Sequence, residues 1–193
     1  MKTTVVLTFL FASAGLFFNS KPGNFENTGI AAVKATKAKR NAEVKPKAPL
    51  RIIVDKSDYE LYVYDAEGWY ATYPVVFGNN TLDDKKMEGD KNTPEGSFKI
   101  VSKRVHEKWN RYMGLNYPTE ESLEKFKKRK AKGEIPSSAS PGGGIGLHGT
   151  WPHEDFVIDR YKNWTNGCIS LKNRDIQDLY SYVPVGTTVT IRK

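Results

Sequence analysis

The feature that most restricts this chain is the run from Pro141 to Asn173, PGGGIGLHGTWPHEDFVIDRYKNWTNGCISLKN. It holds the sole cysteine, Cys168, and two of the three histidines, His148 and His153. A thiol nucleophile needs a base within reach, a loop that presents it, and backbone N–H groups that hold an oxyanion. Ile145-Gly146-Leu147 reads as a short strand delivering His148, and Ile169-Ser170-Leu171 as one leaving Cys168. Gly167 lets the backbone turn tightly just before the thiol. A lone cysteine is ordinarily a small buried hydrophobe. Here its surroundings favour a nucleophile, with His148 as its base.

The N-terminus bears on where such a thiol works. Met1-Lys2 followed by the apolar run Val5 to Phe18 has the pattern of a secretory signal, with Ala12-Ser13-Ala14 as a small-residue cleavage pattern. An uncleaved anchor is the rival, although the run is shorter than the roughly 20 apolar residues of a full span. One cysteine excludes an internal disulfide, and an exported free thiol is a liability unless it has work to do. Residues 20–49 are rich in Lys, Ala, Asn and Pro without a periodicity that buries a face, so a disordered basic linker is expected there. Residues 1–50 carry 8 Lys/Arg against 2 Asp/Glu, a net of +6, whereas 51–193 net only +2. That basic lead suits an anionic surface, by itself without choosing among nucleic acid, lipid and wall polymer.

From Arg51 onward the pattern is that of strands. Ile52-Ile53-Val54, Glu60 to Tyr64 and Trp69 to Phe77 are β-branched and aromatic runs separated by the turns Lys56-Ser57-Asp58 and Asp65-Ala66-Glu67-Gly68, so antiparallel hairpins are expected. Residues 78–91 are polar and read as a loop; Asn92 to Gly96 is a turn leading into a strand from Ser97 to Ser102. Residues 103–140 read as an insertion. Its helix should run from Ser122 to Lys132, with Pro118-Thr119-Glu120-Glu121 as cap, Gly133 as stop, and Leu123, Phe126 and Lys130 on one side. An insertion ending in a glycine run can fold over the site as a lid. Its Lys127-Lys128-Arg129-Lys130 run is read as a solvated face. Asn173 and Asp175 are expected to cap a final helix through Leu179.

The HGT at 148–150 followed by TxGC at 165–168 resembles the L,D-transpeptidase catalytic domain, the YkuD-type family of cell-wall enzymes. Ile52 to Tyr64, Tyr73-Pro74-Val75 to Gly78, Thr93-Pro94-Glu95-Gly96-Ser97-Phe98, and the ending Asn173-Arg174-Asp175 with Val183 to Thr187 and Val189 to Ile191 are similar to its other segments. The resemblance implies a mainly β domain with short helices (α+β) over residues 50–193: a β-sandwich with a helical insertion or lid. It implies that Cys168 attacks an amide carbonyl of a peptidoglycan stem peptide and that His148 takes the thiol proton. Backbone N–H groups around Gly167 and Cys168 would form the oxyanion hole. Gly149, Thr165, Asn166, Ser170 and Trp151 are the further candidates for substrate contact. The thioester would pass to the amine of another stem peptide, or to water in a carboxypeptidase or amide-cleaving hydrolase. The implied setting is the periplasm or cell wall, with the basic linker meeting an anionic wall or membrane surface rather than nucleic acid. No metal or organic cofactor is implied. Two positions depart from the commonest pattern: Asn166 stands where a histidine is usual, and Ser170 where an arginine or asparagine is usual.

Other chemistries fit less well. His148 and His153, with Glu154, Asp155 and Asp159 nearby, suggest a metal site, but the spacing is not HExxH and Pro152 breaks any helix that would align them. Gly142 to Gly146 lacks the Gly-Lys-Ser/Thr of a phosphate loop. His106 and His153 read as surface residues, and Trp164 as a groove or core residue. A non-catalytic wall-binding module is the remaining alternative, and the presence of both His148 and Cys168 argues against it.

Overall fold

The computed structural model describes residues 45–193 and the backbone of Lys39–Arg40. The expected export segment and most of the basic linker lie outside the described residues. Lys39–Arg40 (β1) corrects part of the linker reading, because their backbone pairs antiparallel with Thr72 and Ala71. An open strand edge offers hydrogen bonds that any sequence can take, so composition does not reveal this pairing.

Three strands follow: Arg51–Asp55 (β2), Glu60–Asp65 (β3) and Gly68–Pro74 (β4). Burial alternates along β2 and β3, where Ile52, Val54, Leu61 and Val63 turn inward, as the two-residue period of a strand requires. Gly96–His106 (β5) and Asn110–Leu115 (β6) form a hairpin. Gly146–His148 (β7), Ile169–Ser170 (β8) and Thr188–Arg192 (β9) complete one sheet of order β1-β4-β3-β2-β9-β5-β6-β7-β8. Among the described residues, only β2 with β9 and β7 with β8 run parallel.

β5 carries the sheet around a corner. Its first half buries Phe98 and Ile100, its register shifts between Ile100 and Ser102, and Val101 and Val105 beyond are exposed. A bulge of this kind bends a strand and lets it serve two sheet faces. The far ends of the sheet then meet, since Val76, just past β4, exchanges hydrogen bonds of 3.0 and 2.9 Å with Ser170 of β8. The enclosed core takes Leu61 and Val63 from one half and Met113, Leu147 and Ile169 from the other. This is the mainly β, sandwich-like architecture with short helices that the sequence implied.

Among the described residues there are three helices: Glu120–Ala131 (α1), Phe156–Asp159 (α2) and Asn173–Tyr182 (α3). α1 starts near the expected position, with Thr119 Oγ1 accepting from Ser122 N at 3.2 Å, and Gly133 follows it at φ 71°. It buries no residue, Leu123 included. Polar contacts hold it instead: Arg129 reaches Asp84 Oδ2 at 2.7 Å and the Lys85 carbonyl at 2.6 Å. The helix therefore lies over the 84–95 loop. The piece that reaches the thiol is the glycine run that follows, so the lid reading fits Gly142–Gly144 and not α1. The supposed insertion is also shorter than expected, because residues 103–115 belong to the β5–β6 hairpin. α3 packs Ile176 and Leu179 into the core, and Tyr73 donates to its Asp178 at 2.6 Å.

Candidate active site

β7 and β8 bring the two halves of the chemistry together. They run parallel with His148 opposite Ser170, so Cys168, two residues earlier in the loop that enters β8, is brought beside the strand that ends in His148. Leu171 N donates to the His148 carbonyl at 2.9 Å and locks this register. On the other side of β7, Tyr112 of β6 stands opposite His148. Its ring lies over Gly146, where an added Cβ would come within 2.7 Å of it.

Three contacts fix the presentation of the thiol. Thr165 Oγ1 donates to the Cys168 carbonyl at 2.7 Å and accepts from Gly167 N at 3.1 Å, closing the loop on itself. Gly167 adopts φ 121°, and an added Cβ there would lie 2.7 Å from the Asn92 carbonyl. From the far side, Gly78 is so close that its Cβ would meet the carbonyls of Lys91 and Thr165. Two glycines thus allow the 91–92 backbone to press against the cysteine loop.

The Cys168 thiol donates to the Gly144 carbonyl at 3.4 Å, and Tyr112 Oη donates to the same oxygen at 3.0 Å. Burial pushes the thiol above its ordinary range, opposed by a backbone contact with Gly146 and by the charge of Lys85. Lys85 is itself buried and paired with Asp90 at 2.8 Å. Asp90 also accepts from the backbone N–H groups of Lys86, Met87 and Asn92, so one carboxylate organises the 85–92 loop beside the site. Tyr112 is held at about 12 by burial and by the neighbouring thiol.

His148 is almost wholly buried, and desolvation brings it down to about 4. It is therefore neutral at pH 7 and able to accept a proton. Its Nδ1 bonds the Gly149 carbonyl at 2.7 Å, which leaves Nε2 as the working nitrogen. Trp109 stacks on the ring at 4.6 Å between centroids and 26° between planes, and Trp164 meets it edge-on at 5.5 Å.

The remaining candidates separate. Gly167, Thr165 and Gly149 lie in the loops that hold the two central residues, while Asn166 is exposed beside them. Ser170 is fully buried with its backbone spent on Val76, so it offers no group to a ligand at the surface. Its side chain shares the face of the β7–β8 ladder on which His148 lies, beneath the surface. Trp151 is exposed, away from the thiol loop, with Lys108 over its ring at 5.5 Å. His153 is exposed as expected, whereas His106 is not a plain surface residue, for it stacks on Trp109 at 4.4 Å. The cap of α3 is supplied from outside: Asp155 Oδ1 accepts from Asn173 N at 2.9 Å and from Thr150 Oγ1 at 2.5 Å. Asn173 is the first residue of that helix and Asp175 is buried within it, so neither caps it. Among the described residues no group of three or more His, Cys, Asp or Glu side chains could hold a metal ion.

Sequence reasoning missed Tyr112, Trp109, Lys85, Gly144 and Asp155. The first three lie on elements far from the motif in sequence, and no spacing rule connects them to it.

Residues 49–191 match the family model described as YkuD, L,D-transpeptidase catalytic domain. No curated protein matches the sequence. Among solved structures, the helical cell shape determining protein Pgp2 from Campylobacter jejuni is 20% identical with a TM-score of 0.55, covering 82% of this chain and 51% of its own. Bd1075 from Bdellovibrio bacteriovorus is 21% identical with a TM-score of 0.50, covering 80% and 50%. An L,D-transpeptidase from Mycobacterium smegmatis is 14% identical at 0.50, covering 75% and 58%. The chain thus spans about half the length of the first two, and at these identities the likeness is one of fold. The family model, by contrast, takes in most of the sequence, including the strand that carries His148 and the loop that carries Cys168: the chain belongs to the L,D-transpeptidase catalytic domain family.

Proposed function

We propose that this protein is a cysteine-dependent L,D-transpeptidase that joins peptidoglycan stem peptides through a thioester. The observation that carries the reading is the pairing of β7 with β8, which sets a neutral, buried imidazole beside the loop that carries the only thiol, with Nδ1 already committed to the Gly149 carbonyl.

The chemistry follows from that arrangement. Thiol and imidazole are both uncharged at rest, so the proton moves from Sγ to His148 Nε2 as sulfur attacks the amide carbon of the donor peptide. The carbonyl electrons go to oxygen, where the backbone N–H of Cys168 is suited to receive them, that of Gly167 being held by Thr165 Oγ1. The intermediate collapses with cleavage of the C–N bond, His148 returns its proton to the leaving amine, and a thioester remains. An amine of a second stem peptide then attacks the thioester carbon and gives a proton to His148; the C–S bond breaks, the cross-linked product leaves, and His148 returns the proton to Sγ. Water in the same position would make the enzyme a carboxypeptidase. The family and the name of the Campylobacter neighbour, a determinant of helical cell shape, support a role in building or trimming the wall. The basic segment ahead of Arg51 supports an exported protein held near an anionic wall or membrane surface.

The test is to incubate the full chain with a purified disaccharide-tetrapeptide and read the products by mass spectrometry. Cross-linked dimers that disappear in Cys168→Ala are expected. Tripeptide alone would replace transfer by hydrolysis, and no product would remove the reading.

A further inference from the structure

Trp109 lies just before β6, in the turn of the hairpin, and touches the catalytic strand in two ways. Its indole covers one face of the His148 imidazole at 4.6 Å, nearly parallel. Its carbonyl accepts from Gly149 N at 2.9 Å, and Gly149 supplies the carbonyl that holds His148 Nδ1 at 2.7 Å. The second contact is close enough that a Cβ on Gly149 would come within 2.8 Å of that same Trp109 oxygen. The tryptophan is supported in turn. His106 stacks on it at 4.4 Å, while His106 Nδ1 accepts from the backbone N–H groups of Lys108 and Trp109 at 3.2 and 3.3 Å.

We infer that Trp109 is a positioning residue for the proposed acyl transfer, clamping His148 by its ring face and, through Gly149, by its Nδ1. The clamp rests on the proposed role of His148 but is a property of the folded chain, measurable without substrate. It has two physical consequences. The indole removes one face of the imidazole from water, which disfavours the charged ring. The same face attracts the imidazolium that forms during reaction. At rest burial outweighs that attraction, since His148 stands at about 4. The titratable and charged groups around it are His106 at the end of β5, Tyr112 of β6 with Arg104 over its ring, Lys108 and Glu107 in the hairpin turn, and Cys168 with Lys85 on the opposite side. Of these, His106 disfavours a charge on His148.

The chain has three histidines, so their ring C–H resonances can be followed in one NMR titration of the full-length protein, with His148→Gln identifying the one of interest. In the wild type His148 should titrate near 4. In Trp109→Ala it should move up toward the ordinary 6.5, and in Trp109→Phe part of the way, because a smaller ring covers less of the imidazole. In the product assay kcat should fall by on the order of 10- to 100-fold in Trp109→Ala, with less change in KM, and Trp109→Phe should recover part of it. The acid limb of kcat/KM should shift upward with the NMR midpoint. If Trp109→Ala does not fold, Trp109→Phe decides the matter alone. An unmoved His148 midpoint in the variants that fold overturns the clamp. Moved midpoints in a protein without any product would support the clamp and remove the proposed function.

Discussion

Two buried groups near the site oppose each other as pH changes. His148 is lowered from 6.5 to about 4 by burial. Between those values the unfolded chain binds a proton that the native chain refuses, so native stability falls as pH falls through this window. Asp175, buried in the first turn of α3, is raised from 3.8 to about 6, chiefly by burial. It keeps its proton in the native state where the unfolded chain has released it, so its contribution is lost as pH rises from 3.8 to 6. Each is worth on the order of 2–3 kcal/mol, and from pH 4 to 6 they nearly cancel. Asp175→Asn should therefore be more stable than wild type at pH 7, and its stability should rise with pH between 4 and 6.5 more steeply. Urea unfolding across that range checks both; parallel profiles for the two proteins would refute the opposition. At this scale motif spacing singles out Cys168 and His148, and the structure sets their segments side by side. The sequence misled on Asp175, read as a helix cap but buried in the first turn of α3, where its raised proton affinity depends on burial that no local pattern encodes.

The elements that shape the site are loops drawn together by small residues. The cysteine loop is tied from within by Thr165 and pressed from without by the 91–92 backbone through Gly78 and Gly167. Thr165→Val removes both hydroxyl contacts and should cost about 1–3 kcal/mol, with faster alkylation of Cys168 at neutral pH as the loop loosens. Gly78→Ala should be worse. Its Cβ would lie 2.1 Å from the Lys91 carbonyl, against backbone that has no flexible side chain to move aside. A loss of about 3 kcal/mol with loss of product is expected; thermal melts and the mass-spectrometric assay check it. Strands were legible in the sequence because alternation along β2 and β3 is strong, and α1 because a threonine cap precedes a run of helix formers. The β5–β6 hairpin was not. Past the bulge the residues of β5 are exposed or half-buried on both sides, while β6 is buried continuously from Tyr112 to Leu115, so neither strand shows the alternation of a half-buried strand although pairing continues to His106.

For the whole molecule the governing feature is the position of β9. It lies between β2 and β5, parallel to one and antiparallel to the other, with Val189 and Ile191 buried. A variant that stops at Thr187 should lack cooperative unfolding and should show Cys168 fully open to alkylation; a native-like melt would contradict this. The arrangement also sets an order in time. During synthesis β2 and β5 are made early, yet each has an unsatisfied edge facing the other until residues 188–192 have emerged. Contacts of such long sequence separation form slowly, and open edges meanwhile invite wrong partners. The two halves of the sheet, and with them the imidazole on one side of the join, therefore become a single rigid frame only once residues 188–192 have emerged and taken their place between β2 and β5.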